Sequence, residues 1–397
     1  VILGAVTSFS LAPFNYFVLN FITFTLFFLF LIKKSKLHSD VKHFFFYGWL
    51  FGFGYFITNL YWISISLTFD QKFEFLIPLT VILIPSFLAL FYGLVSYFFI
   101  IFKSKKLINS FLIFSLIFGV LEFIRGSILT GFPWNLIVYS FSNLIEVLSI
   151  TSIIGTYGLN LFCISLFTSP AIFILRKTKT EISVSIFFLL SLMLFYTYGY
   201  FYKKTFYKLE DEALDFKIRV IGSNISLNRF YYSENSALVI NDLIKISEPK
   251  NVEKTIFVWP EGTLQDVSEE KLQRYYPLFR KNFNENHLFI IGTNNQLIKN
   301  GSVNYYNSLS IYDHELNLLN NYNKIDLVPF GEFLPIEKIL KKIGLRSLTN
   351  NYQSFSKGNV RKIIEIKKNN LSLKILPLIC YEIIYTGKIF KNPNFDI

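Results

Sequence analysis

FLIPLTVILIPSFLALFYGLVSYFFIIF, residues 75–102, carries no charged side chain from end to end. At about 1.5 Å of rise per residue a helix of this length exceeds the roughly 30 Å of hydrocarbon in a bilayer. Working outward, further apolar runs predict seven crossings, at approximately 1–12, 15–32, 44–68, 75–102, 107–123, 144–175 and 181–201, with Pro13 breaking the first pair. The whole chain is 52% hydrophobic and only 17% charged, a balance that membrane solvation explains and an ordinary soluble enzyme does not. Charges become frequent after Tyr202, so the chain divides into a bundle over 1–201, a juxtamembrane linker over 202–215 and a water-soluble domain over 216–397.

The loop charges give an orientation, because translocation disfavours Lys and Arg close to helix ends. Lys33, Lys34, Lys36 and Lys42 follow the second run, Lys103, Lys105 and Lys106 the fourth, and Arg176, Lys177 and Lys179 the sixth. These loops are expected in the cytoplasm. The opposite loops hold one cation each, Lys72 in FDQKFE and Arg125 in the 124–143 connection, so they and everything after residue 201 are expected outside. Lys203, Lys204 and Lys208 run against that orientation, but Glu210, Asp211 and Glu212 follow them. Within the 124–143 connection, RGSILTGFPWN has the glycines, proline and tryptophan of an interfacial or re-entrant segment. Arg125 is expected at the headgroups, although a lipid phosphate or Glu122 are alternative partners.

The net charge of +12 sits largely in clusters beside apolar runs, and no nucleic-acid-binding signature accompanies it, so no nucleic-acid partner is expected. Cys163 and Cys380 lie in different halves without metal-site spacing, and His38, His43, His287 and His314 are scattered. No metal, other cofactor, disulfide or histidine-based triad is indicated.

From Phe216 the pattern changes to short strand-like segments: FKIRVIGSN, TIFVWP, HLFIIGTNN, NSLSIYD, VRKIIEIKK and SLKILPLIC, with helical patterns near 233–247 and 268–285. This is an α/β domain whose strand ends can hold side chains rigidly. Glu261 follows IFVWP, Lys324 precedes a turn-rich loop, and Cys380 ends an apolar strand. Singly these read as a solvated glutamate, a surface lysine and an inert buried thiol. Together they supply what acyl transfer through a thiol requires: a nucleophile, a carboxylate to carry protons and a cation for the oxyanion. Lys324 beside Cys380 is also expected to favour the thiolate.

VWPEGT (258–263), YNKIDLVPFGEFLP (322–335) and PLICYE (377–382), in this order, resemble the Glu, Lys and Cys segments of the nitrilase superfamily. LAPFNYFVL, GFGYFITNLYWISISL, RGSILTGFPWN and GTYGLN in the first half resemble the corresponding parts of the bacterial apolipoprotein N-acyltransferases. The resemblance implies a polytopic α-helical membrane bundle joined to an α/β nitrilase-like αββα sandwich, in the bacterial inner membrane with the catalytic domain periplasmic. It also implies N-acylation of the diacylglyceryl-cysteine of an apolipoprotein acceptor with a phospholipid acyl donor, through a ping-pong thioester. Carried over by position, Glu261 is the general base, Lys324 the oxyanion cation and Cys380 the nucleophile, with Glu332, Tyr381 and Glu382 as substrate-binding or supporting residues. Trp134, Phe330 and Phe333 are candidates to line the lipid path.

Only 17 residues follow Cys380, fewer than nitrilase-like domains have there, so the expectation is a C-terminally incomplete domain, inactive as it stands beside an active full-length parent. Two other functions fit the same residues. One is a membrane-tethered nitrilase-type amidase or hydrolase in which water resolves the thioester, and the other is an inactive lipoprotein-binding homologue. The intact Glu261, Lys324 and Cys380 oppose the second.

Overall fold

The computed structural model describes the chain apart from residues 38–39, 70, 129–130, 209–214, 225–235, 265–266, 268, 300, 330, 334–353, 369–370, 386, 388 and 390–393. His38, Phe330, the acidic run 210–212, part of the 202–215 linker and the start of the 233–247 helical pattern lie wholly or partly outside the described residues. The chain forms two compact units, Val1–Glu210 and Asp211–Ile397.

The first unit is helical. Its elements are α1 (Ile2–Ser8), α2 (Val18–Lys34), α3 (Val41–Leu60), α4 (Ile77–Phe102), α5 (Leu107–Ser127), α6 (Ile145–Leu148), α7 (Thr151–Leu175) and α8 (Lys179–Phe206). Among the described residues five helical stretches are long and apolar enough to cross a membrane: Val41–Thr68, Phe73–Phe102, Leu107–Ser127, Thr151–Leu175 and Lys179–Phe206. Seven were expected. The expected second crossing is α2, whose 17 residues fall just short of that length. The first is replaced by the seven-residue α1, where Thr7, Ser8 and Ser10 turn their hydroxyls back onto carbonyls of the preceding turn before Pro13. The sixth is divided into α6 and α7, and Gly155 at φ +71° interrupts α7 itself.

Phenylalanines fill the interior of the unit, with Phe24, Phe28, Phe99, Phe111, Phe114 and Phe118 fully buried. The outer faces are apolar too: Ile82, Leu83 and Phe87 on α4 and Phe187, Met193 and Leu194 on α8 are exposed. A surface as apolar as its core is stable in lipid and not in water, so this unit is a membrane bundle. Lys103 Nζ donates to Ser35 Oγ at 2.6 Å, which brings the lysine-bearing α2–α3 and α4–α5 turns to one end of it.

Arg125 departs from the expected headgroup placement and takes the alternative partner, Glu122. It lies inside α5, 2% exposed, with Nη2 donating to Glu122 Oε2 at 2.6 Å and Nε to Glu122 Oε1 at 3.3 Å. Its Nη1 donates to the carbonyls of Phe132 (2.7 Å) and Trp134 (2.9 Å). Four bonds within the protein replace the headgroup contacts expected of a snorkelling arginine.

The second unit has a five-stranded sheet in the order β1 (Lys217–Val220), β2 (Thr255–Leu264), β3 (His287–Lys299), β4 (Ser302–Asp313) and β5 (Leu318–Asn323), with β1, β2 and β3 parallel and β3, β4 and β5 antiparallel. A hairpin of β6 (Ile364–Lys368) and β7 (Leu371–Ile375) is separate. Because β-strand side chains alternate between faces, β2 and β3 feed two cores. Phe257, Trp259, Phe289 and Ile291 pack with α9 (Ser236–Ser247) and the Phe279 and Phe283 region, where α10 (Glu269–Leu272) and α11 (Tyr276–Arg280) break the 268–285 pattern into short turns. Ile256, Leu288 and Ile290 instead face Ile364, Ile366, Leu373 and Ile375 of the hairpin. The arrangement is the α/β nitrilase-like layering, with helices on one face of the sheet and strands on the other.

Candidate active site

Glu261 sits where β2 departs from regular pairing. Pro260 has no N–H to give the ladder, the register with β3 slips between Trp259 and Leu264, and Gly262 takes φ +75°. Across the gap, a Cβ on Gly292 would lie 2.8 Å from Glu261 Cα, so glycine there lets the irregular backbone approach β3. The strand therefore continues beyond its expected end at Pro260, and Glu261 projects from a kink within it.

Lys324 follows β5, a strand that the sequence reading did not include. Its N–H donates to the carbonyl of Asn307 (2.9 Å) and its own carbonyl accepts from the Gly358 N–H (2.8 Å). The side chain is 1% exposed, far from the surface lysine that a single-residue reading suggests. Nζ lies 2.9 Å from Glu332 Oε1, 3.5 Å from Glu261 Oε1 and 5.3 Å from the centre of the Tyr381 ring. Burial alone would lower the lysine's pKa, but Glu332 and then Glu261 outweigh it and hold the pKa above the ordinary value. Glu332 is itself fixed, because its Oε2 accepts the Val328 N–H at 2.8 Å.

Cys380 does not end a strand. β7 stops at Ile375, two residues before Pro377, and Cys380 opens a short 3-10 turn, Cys380–Ile384, with φ +53°. A left-handed conformation at a non-glycine residue costs energy that the surrounding structure must hold. Glu382 provides such a hold. Its Oε1 accepts from Tyr322 Oη (2.8 Å), the N–H groups of Ile325 (2.9 Å) and Asp326 (3.2 Å), and Arg361 Nη2 (2.8 Å), while its Oε2 accepts the Ile379 N–H (2.9 Å). The fully buried carboxylate thus ties the cysteine turn to the segment bearing Lys324.

The Cys380 side chain is exposed, yet the protein packed behind it raises its pKa and the Glu261 charge raises it further. Lys324 and the Tyr381 N–H pull the other way and do not prevail. The expected pull of Lys324 toward the thiolate is present, and burial with Glu261 outweighs it. The net direction favours the thiol over the thiolate.

Glu261, Lys324, Glu332, Cys380 and Tyr381 therefore share one electrostatic neighbourhood, with Glu382 behind it. Phe333 is half-buried in the turn that carries Glu332, and Trp134 belongs to the bundle, where it packs edge-on to Trp62. Asn307 was missed. Its Nδ2 donates at 2.6 Å to Glu261 Oε1 and at 2.6 Å to Glu332 Oε1. Only the β3–β4–β5 register, which sets Asn307 opposite Asn294 and Ser308 opposite Asn323, brings it beside Lys324.

A buried lysine between two carboxylates, with an exposed cysteine within their electrostatic reach, on a nitrilase-like sheet that follows a membrane bundle in the chain, defines a membrane protein with a nitrilase-like domain. Residues 3–169 match the family model described as the apolipoprotein N-acyltransferase N-terminal domain. An apolipoprotein N-acyltransferase of Rhodopseudomonas palustris is 30% identical over 98% of this chain and 74% of its own length. Those of Brucella melitensis and Rhizobium etli are each 28% identical, over 97% and 98% of this chain and 74% and 75% of their own lengths. The chain belongs to the apolipoprotein N-acyltransferase family.

Proposed function

We propose that the protein transfers an acyl chain from a phospholipid to the α-amine of the diacylglyceryl-cysteine at an apolipoprotein N-terminus, through a thioester on Cys380. Family membership supports the N-acylation of lipoproteins, and the carrying observation for the chemistry is the buried Lys324 held between Glu261 and Glu332 within electrostatic reach of the Cys380 thiol. Glu261 accepts the thiol proton as Sγ attacks the ester carbonyl. Lys324 stabilises the tetrahedral oxyanion, and the same proton passes to the departing lysophospholipid oxygen, leaving a thioester. The acceptor amine then attacks that thioester. Its proton goes to Glu261, the amide forms, and the released thiolate is reprotonated.

Glu332 keeps Lys324 charged and oriented, and Tyr381 flanks the ammonium with its ring. The lysine-rich turns support a bundle in the bacterial inner membrane with those turns cytoplasmic and the residues after α8 in the periplasm. Both substrates have chains dissolved in the bilayer, which is why the chemistry needs a membrane unit.

Mass spectrometry of the full-length protein in phospholipid micelles tests the proposal, comparing wild type with Cys380→Ala before and after addition of a diacylated lipopeptide with a free amine. An acyl group on Cys380 that moves to the amine supports the transferase. An adduct discharged only to water replaces it with a hydrolase, and no adduct replaces it with a binding protein.

A further inference from the structure

Four polar groups of the site close into a ring. Glu261 Oε1 accepts from Asn307 Nδ2 (2.6 Å), the same nitrogen donates to Glu332 Oε1 (2.6 Å), that oxygen accepts from Lys324 Nζ (2.9 Å), and Nζ returns to Glu261 Oε1 at 3.5 Å. Donors and acceptors alternate around it. An amide nitrogen has two hydrogens, and Asn307 gives one to each carboxylate. The reverse orientation would aim its carbonyl oxygen at two anions, so electrostatics fixes which atom faces them. Asn307 is buried, and its backbone carbonyl also accepts the Lys324 N–H (2.9 Å), so one residue anchors three members of the site.

We infer that Asn307 is a positioning residue that decides which oxygen of Glu261 serves as the base. This rests on the reading of Glu261, Lys324 and Cys380 given above. Oε1 of Glu261 already receives Asn307 and Lys324, whereas Oε2 has no hydrogen-bond partner among the described residues. Oε2 is therefore the oxygen left to take and return the proton. Neutrality of the donor is the second requirement. The ring holds two carboxylates against one ammonium, and its negative excess already opposes ionisation of the thiol. A cation in place of Asn307 would weaken the base, and a third carboxylate would deepen the negative excess that the thiol faces. The groups facing the thiol are Glu261 from β2, Lys324 and Glu332 from the segment after β5, and Tyr381 from its own turn. Arg361, Asp326 and Glu382 form a paired layer behind them.

The isosteric Asn307→Asp replaces the donor with an acceptor at nearly unchanged volume. In the full-length protein in phospholipid micelles, iodoacetamide labelling of Cys380 as a function of pH, read by peptide mass, reports thiol ionisation without any acyl substrate. Asn307→Asp is expected to move the labelling midpoint up by about one pH unit or more and to lower kcat for lipopeptide acylation with little change in KM. Asn307→Ala, which removes the donor and adds no charge, is expected to lower kcat about tenfold or more through lost orientation while moving the midpoint far less. A midpoint in Asn307→Asp that superimposes on wild type overturns the inference and leaves Asn307 as packing. Should Asn307→Asp fail to fold, Asn307→Ser against Asn307→Ala decides: more transfer in Ser, which keeps one donor, supports the inference, and equal transfer overturns it. Absence of a Cys380 acyl adduct in wild type defeats the transferase reading alone, since the labelling curves still test what Asn307 does to the thiol.

Discussion

Lys324 Nζ stands 2.9 Å from Glu332 Oε1 in a position almost closed to water, and this pair is the electrostatic keel of the site. Lys324→Met would leave two neighbouring carboxylates without their cation, so it should destabilise the second unit by about 3–5 kcal/mol and reduce acylation by about a hundredfold or more. The pH dependence follows from the sign of the shift. A base whose folded pKa lies above its ordinary value contributes its stability in full below that ordinary value, and loses it only as pH rises through the folded one. The difference in Tm between wild type and Lys324→Met should therefore stay level from about pH 6 to about pH 9. A difference that shrinks in this range would show that the lysine is deprotonated there.

Glu261 raises the Cys380 pKa and is the base proposed for it, so removing the charge should separate two properties that usually fall together. Glu261→Gln lowers the thiol pKa, and iodoacetamide labelling of Cys380 near pH 7 should quicken by roughly three- to tenfold. Acyl transfer should drop by about a hundredfold to ten-thousandfold, because no group remains to shuttle the proton. Parallel losses of labelling and transfer would mean that Glu261 holds the cysteine turn in shape and does no proton transfer.

The parts of this architecture that composition and period control were legible beforehand. Uncharged runs such as 75–102 announce helices in lipid, and β2, β3 and β4 announce themselves by apolar alternation. What escaped depends on register and on partners distant in sequence. The polar LLNNYN of β5 has no strand signature and exists through its ladder with β4. Asn307 looks like any strand asparagine until that ladder sets it beside Lys324. Arg125 was read as an interface residue because nothing linear shows that the carbonyls of Phe132 and Trp134 turn back toward it. The Glu, Lys and Cys candidates were legible only as a set, and their opposed effects on the thiol emerged from burial.

Glu382 tests whether the cysteine turn depends on its anchorage. Glu382→Ala would strand the Arg361 guanidinium, the Tyr322 hydroxyl and three backbone N–H groups in a buried site, at an expected cost of about 3–5 kcal/mol. Glu382→Gln keeps the shape and one carbonyl acceptor, so it should cost less than Ala while still loosening the turn. Limited proteolysis around residue 380 and thermal unfolding should both rank wild type, Gln and Ala in that order. Equal Tm values for all three would remove the anchoring role.

The Glu122–Arg125 pair in the bundle offers a test of a different kind, because burying an ion pair and breaking one have different energetics. Arg125→Met leaves the Glu122 carboxylate uncompensated and also strips donors from the carbonyls of Phe132 and Trp134, so its loss of stability in micelles should be the largest of the set. Glu122→Leu leaves the guanidinium with those two carbonyls alone, and it too should destabilise the bundle by a few kcal/mol. In the double variant neither charge remains, and the total should fall short of the sum of the single losses by roughly 1–3 kcal/mol. What persists in the double variant measures the guanidinium's grip on the 131–136 loop, and Trp134 fluorescence should shift wherever Arg125 is absent. Strictly additive losses would mean that the two side chains act independently, and the carbonyl contacts alone would then account for the burial of Arg125.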